Sequence, residues 1–131
     1  MNHARARMAV SMLVATLLGC SGGDGTGGGG ASSGVPRSST IASLTPAQAG
    51  TLCDWTNTKQ GGYGRSMTCA DGSEEDTDAD KAYCMAAFPL IAQYCPTLTV
   101  GDIEDCANAT GTNLCAFATA AGCANARTCL Q

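Results

Sequence analysis

Histidine is almost missing from this sequence, and its one copy, His3, falls in a leader expected to be cut away. Without a mature histidine, a Cys–His nucleophile, a Ser-His-Asp triad and histidine-ligated metals lack their base or ligand. Aromatic side chains are scarce too, with one Trp, three Tyr and two Phe in 131 residues, so any apolar core must be small. Basic residues are few: Arg5 and Arg7 lie near the start, and Arg37, Lys59, Arg65, Lys81 and Arg127 are scattered after it. Every Asp and Glu follows Cys20, which makes the remainder acidic and repellent to phosphate backbones; nucleic acid is excluded as a partner. No two cysteines form C-x-x-C, which removes the signature of a thioredoxin-like pair, a haem attachment site and a zinc knuckle.

What the sequence does have is an address. Arg5 and Arg7 precede an apolar run from Met8 to Leu18, too short to span a bilayer as a mature helix and typical of a signal peptide. It ends Leu17-Leu18-Gly19-Cys20, which resembles the lipobox of bacterial lipoproteins. The resemblance implies diacylation of the Cys20 thiol and cleavage just before it. An ordinary secretory signal that happens to carry a cysteine is the alternative. Each buried acyl methylene contributes about 0.8 kcal/mol, and two or more chains hold a protein stably at a bilayer. Arg5-Ala-Arg7 is not a twin-arginine pair, so export in the unfolded state is expected. By lipoprotein sorting rules, Ser21 rather than Asp after the cysteine implies the outer membrane of a Gram-negative envelope.

Ser21 to Thr40 reads SGGDGTGGGGASSGVPRSST, with almost nothing apolar to bury, and is expected to be a tether. As a Gly/Ser coil, twenty such residues reach about 25 Å. The glycine run lacks the preceding strand and the closing Gly-Lys-Ser/Thr of a phosphate-binding loop. The expected organisation is therefore a signal peptide over 1–19, a lipidated cysteine with its tether over 20–40, and a cysteine-rich helical domain over 41–131.

Eight cysteines remain beyond Cys20: Cys53, Cys69, Cys84, Cys95, Cys106, Cys115, Cys123 and Cys129. An even set in a short exported domain predicts four disulfides, though eight cysteines permit 105 pairings. The expected fold is small, disulfide-rich and mainly α, with four to five short helices and irregular loops. The first helix should begin after Leu44, with Thr45 as N-cap, Pro46 at the first position and Gln48 closing a capping box. It should place Ala49, Leu52, Cys53 and Thr56 on one face and stop near Gln60, where Gly61-Gly62 supplies a left-handed exit. Residues 62–69 read as an extended loop or one irregular strand before the Asp71-Gly72 turn.

The second helix carries apolar residues at 79, 82, 83, 86, 87, 90, 91 and 94, with Cys84, Phe88, Ile91 and Cys95 as a neighbouring stripe. Apolar over most of its circumference, it is expected at the centre of the fold, kinked or divided near Phe88 by Pro89. Thr99 and Asp102 should cap a third helix that runs to about Thr110 and Gly111. Leu114, Phe117, Ala118 and Ala121 suggest a fourth, ended by Gly122, after which the last residues add a turn.

Three segments carry a family resemblance: Leu52-Cys53-Asp54-Trp55, Gly61-Gly62-Tyr63-Gly64, and Val100-Gly101-Asp102-Ile103-Glu104-Asp105-Cys106. Together they resemble cysteine-rich, lipoprotein-like proteins encoded by myxobacteria, over roughly Leu44 to Cys129. The resemblance implies the eight-cysteine framework and a bacterial origin. It implies no chemistry.

Candidate sites are few. Asp76, Asp78 and Asp80 imitate the first ligand positions of an EF-hand, but Lys81 stands where its turn glycine belongs and Ala87 where its bidentate glutamate belongs. The plainer reading is a run of carboxylates at a helix N-terminus, where the backbone dipole favours them. Trp55 and Tyr63 could form an aromatic platform for sugar or protein, against which stands a packing role for Trp55. Asn108-Ala109-Thr110 is a glycosylation sequon placed inside a predicted helix. Asp54, Asp102, Glu104 and Asp105 could serve a carboxylate hydrolase only if some were buried with shifted pKa values. The expectation is a non-enzymatic, cofactor-free module in an envelope structural or interaction role, joined to the membrane by lipid and meeting a protein or glycan partner. Weak calcium or small-ligand binding is the first alternative, and a hydrolase the second.

Overall fold

A computed structural model of the protein describes residues 32–130; the leader, Cys20 and the first part of the Gly-rich stretch lie outside the described residues. Helix α1 (Pro46–Lys59) starts with the full capping box, Thr45 accepting from the Gln48 N–H while the Gln48 side chain accepts from the Thr45 N–H. It ends at Gln60, and Gly61 and Gly62 follow with φ of 98° and 108°, where a side chain would be strained. Helix α2 (Lys81–Tyr94) is capped by Asp80, and helix α3 (Val100–Thr110) by a second capping box between Thr99 and Asp102. The fold is thus small, disulfide-rich and mainly α, as the sequence predicts.

Two elements differ from expectation. Only the end of the acidic run leads into α2, where Asp80 is the N-cap; its first part, Glu74–Asp76 (β2), pairs antiparallel with Ser66–Thr68 (β1), Met67 facing Glu75, across the Asp71-Gly72 turn. Both strands are short and largely exposed, so no alternation of apolar residues marked them. The fourth helix is also displaced. Two 3₁₀ turns, Leu114–Ala118 and Ala121–Cys123, occupy the predicted stretch, and α4 (Ala124–Leu130) comes after it. Cys115 and Cys123 are drawn to different partners, and one straight helix cannot serve both. Arg127 fixes the bend by donating to the Phe117 and Ala120 carbonyls, each at 2.7 Å.

Four bridges join these elements. Cys53–Cys84 links α1 to α2, Cys69–Cys115 links the hairpin to the first 3₁₀ turn, Cys95–Cys129 links the end of α2 to α4, and Cys106–Cys123 links α3 to the second 3₁₀ turn. The apolar core beside them is small: Val35, Ile41, Leu52, Cys95, Leu98 and Val100, with Trp55, Phe88 and Ile91 packed against it.

Val35 belongs to the stretch expected to be tether. Residues 32–40 instead form a strap against the start of α3. Ile41 N–H donates to Leu98 O, Val100 N–H to Ser39 O and Gly101 N–H to Arg37 O, each at 2.9 Å, while Val35 and Ile41 are buried. Two apolar side chains and a set of backbone hydrogen bonds suffice to dock a segment whose composition reads as linker.

Gly122 is not the helix stop that its position suggested. A Cβ there would lie 2.5 Å from Asp105 O and 2.9 Å from Ala109 Cβ, so the 3₁₀ turn can approach α3 this closely only as glycine. Gly122→Ala is expected to cost about 1–3 kcal/mol by overpacking, read as a lower melting temperature with all four bridges formed. An unchanged melting temperature would show that the contact is looser than described.

Candidate functional site

The residues singled out in the sequence do not converge. Trp55 is half-buried against the core, and Lys59 sits over its ring, 5.6 Å from the centroid. Tyr63 donates from its hydroxyl to Asp54 Oδ1 at 3.0 Å; burial and that bond push its phenol up to about 12. Asp54 also accepts from Lys81 at 2.6 Å, and these contacts hold its carboxyl below the usual range. Tyr63 and Trp55 are therefore each engaged separately.

The three aspartates divide in the same way. Asp76 on β2 pairs with Ser66 on β1, Asp78 accepts from the buried Asn57 amide at 3.0 Å, and Asp80 caps α2 by accepting from the Tyr83 N–H at 2.8 Å. Among the described residues no group of three or more His, Cys, Asp or Glu is placed to hold a metal ion.

Glu104 is fully buried on α3, yet charged. It accepts from Ser33 N–H at 2.6 Å, Ser32 Oγ at 3.0 Å and Arg37 at 2.8 Å, while Arg37 also reaches Asp105 at 2.7 Å. Burial alone would raise its pKa; the bonds from Ser33, Ser32 and Arg37 outweigh burial and leave it lowered. At Asp102, likewise, burial raises the carboxyl and bonds from Asn125 and Thr99 lower it further than burial lifts it. A general acid needs the opposite shift. These carboxylates lock the strap and cap a helix.

The feature that sequence reasoning misplaced is the outer face of α2. Of its fourteen residues only Cys84 is buried, while Tyr83, Leu90 and Tyr94 are 64%, 59% and 74% exposed. The stripe of Cys84, Phe88, Ile91 and Cys95 turns inward, whereas Ala82, Tyr83, Ala86, Leu90 and Tyr94 turn to solvent, so the helix borders the core and is not at its centre. Two bridges decide this, because Cys84 and Cys95 must meet Cys53 and Cys129. The helix passes through Pro89 without a break; Pro89 is exposed, and the carbonyl four residues earlier forfeits only one bond. No charged residue occurs between Lys81 and Asp102, so this face carries none. The signal that could have found it was there: cysteines mark the inner side of a helix whose apolar residues run all round.

Beside the end of α2 lies an open cleft of about 410 Å³, lined by Tyr94, Thr97, Asp102, Asn125 and Thr128 and by the Cys95–Cys129 bridge. Asn125 Nδ2 donates to Asp102 Oδ1 at 2.6 Å across it. The disulfide framework fits an oxidising, extracytoplasmic compartment, and among the described residues no helix is long and apolar enough to cross a membrane. Comparison with protein-family models, with curated proteins and with solved structures finds no match to this chain.

Proposed function

We propose that the chain is the precursor of an outer-membrane lipoprotein, lipidated on Cys20, whose folded part acts as an interaction module in the cell envelope. The observation that carries the interaction role is the charge-free, exposed apolar face of α2 on a domain held in shape by four bridges. Leu17-Leu18-Gly19-Cys20 supports the anchor, Ser21 supports the outer membrane, and the resemblance to myxobacterial cysteine-rich proteins supports a bacterial envelope. The Gly-rich sequence between Cys20 and the strap supports a spacer role. A Gly-rich coil of eleven residues would reach about 18 Å, enough to clear lipid headgroups.

A glycan partner is the second reading. The cleft beside Tyr94 favours it, since an aromatic residue, Asp102, Asn125 and two threonines line one opening, the residue types that sugar recognition uses. The anchor is tested by expressing the full chain and Cys20→Ala in a Gram-negative host fed an alkyne-labelled fatty acid. The wild type is expected to take up label and sediment with outer membranes, and Cys20→Ala to lose both properties. Label retained by Cys20→Ala, or wild type recovered unlabelled in the soluble periplasm, would refute the anchor.

A further inference from the structure

We propose that the cleft at the end of α2 binds a glycan through an unacetylated amino sugar, whose ammonium completes an ion pair with Asp102. This names the sugar class and rests on the glycan reading of that cleft.

The first argument is charge. Among the described residues that line the cleft, Asp102 is the one charged side chain, and it has no ion-pair partner. Arg37, on the strap, is taken up by Glu104 and Asp105. Against the burial that would raise it, bonds from Asn125 and Thr99 keep the Asp102 carboxyl low, so the cleft holds an uncompensated negative charge. A half-buried carboxylate gains most from a cationic donor, since a hydrogen bond between ionised groups is roughly twice as strong as one between neutral groups. The acidic chain, at −4 over its full length, draws cations towards it and repels uronic acids and phosphorylated sugars.

The second argument is acceptor capacity. Asp102 Oδ2 accepts from the Thr99 N–H at 2.9 Å and from the Thr99 hydroxyl at 2.7 Å, and Oδ1 accepts from Asn125 Nδ2 at 2.6 Å. A carboxylate offers about four acceptor positions, so capacity is left for a ligand. The bonds already made also hold the carboxylate in place before a ligand arrives, which lowers the ordering cost of binding.

The third argument separates a sugar from a simple amine. The rest of the opening is uncharged and polar: Asn125, Thr97 and Thr128, with Tyr94 74% exposed beside them. A pyranose brings hydroxyls for the amide and the threonines and C–H groups for the phenol ring, whereas an alkyl ammonium leaves those polar groups unmatched. The cleft volume of about 410 Å³ lies within the roughly 300–1,000 Å³ of small-molecule sites.

The test uses the full chain carrying Cys20→Ser, expressed in a Gram-negative host and purified with its bridges formed. Calorimetric titration at pH ~6, where an alkyl amine is protonated, compares the β-1,4-linked tetrasaccharide of glucosamine with its fully N-acetylated form. The free-amine sugar is expected to bind ~10-fold or more tightly than the acetylated one. Asp102→Asn should abolish that preference, while Glu75→Gln, which removes the same charge from the exposed hairpin, should keep it. The comparison of the two sugars on the unsubstituted cleft depends on no variant's folding, and Tyr94→Ala, at an exposed position, should weaken both sugars alike. Equal affinity for the two sugars, lost in Tyr94→Ala, overturns the ammonium contact and leaves the glycan reading standing. A preference that survives in folded Asp102→Asn, or that Glu75→Gln also abolishes, overturns the ammonium contact in the same way. Binding that Tyr94→Ala leaves unchanged, or no binding of either sugar or of a glucose tetrasaccharide, overturns both.

Discussion

Reduction of the four disulfides is expected to unfold the domain outright, the largest effect of any single treatment. The bridges span sequence separations of 31, 46, 34 and 17 residues. Closing loops of this length contributes about 3–4 kcal/mol each in the chain-entropy account. The loops overlap and their contributions do not simply add, yet even two of them reach the roughly 5–15 kcal/mol that separates a folded domain from its unfolded chain. Little apolar surface remains to compensate, since the core cluster is six residues, one of them a half-cystine. Near-UV circular dichroism with and without a phosphine reductant reads the result directly. A reduced domain that keeps its tertiary signal at 37 °C would show that the apolar core alone suffices. The bridges also differ in what they hold. Loss of Cys69–Cys115, as a double serine variant, should free the exposed hairpin and leave the helices together; loss of Cys95–Cys129, inside the core, should cost most.

Glu104→Ala is expected to be the most damaging change of a single side chain outside the cysteines. It removes a buried carboxylate that holds Ser32, Ser33 and Arg37 at once. Breaking a buried, charge-assisted cluster of this kind costs about 2–4 kcal/mol. The loss should be local. Hydrogen exchange is expected to find residues 32–41 unprotected in the variant, while α1 to α4 stay protected behind their bridges. A strap still protected would place its docking energy in Val35 and Ile41 instead.

The same group predicts a pH dependence. The Glu104 pKa is lowered in the fold, so its contribution is complete above the unfolded value of 4.5 and is lost as pH falls through the folded value. Arg37 and Asp105 face the site, and the Arg37 pKa is raised, chiefly by its bond to Asp105, so it stays charged throughout. Strap protection should therefore be level from pH 7 to about 5 and decline in stronger acid. Glu104→Gln should be weaker at neutral pH and less sensitive to acid. Asp102, lowered in the same direction, leaves it a residual slope.

Much of the architecture could be read from local chemistry. Thr45 with Gln48, Thr99 with Asp102, and Gly61-Gly62 mark helix ends because caps are decided by a few adjacent residues. The features that escaped depend on residues far apart in the chain. Nothing near Glu74 says that it will pair with Thr68, because polar strands carry no pattern. Nothing near Val35 says that Leu98 and Glu104 await it 63 and more positions later. The face of α2 was ambiguous for a different reason. An all-round apolar helix has no preferred side until its cysteines are paired, and pairing is a property of the whole fold. The candidate surface was hidden by the same ambiguity, since the residues that compose it are those a periodicity argument assigns to the interior.

One consequence of the strap concerns force. Residues 32–41 contain no cysteine, whereas everything from Cys53 to Cys129 is laced together by sulfur. If the proposed lipid on Cys20 holds the chain, a pull from the bilayer reaches the described fold first at Ser32 and meets the Glu104 clasp before any bridge. Peeling residues 32–40 would pay out about 30 Å of extra line and leave every bridge intact, so that the segment can settle back once the load is gone. With that anchor in place, the strap would be a reusable mechanical fuse ahead of the bridges.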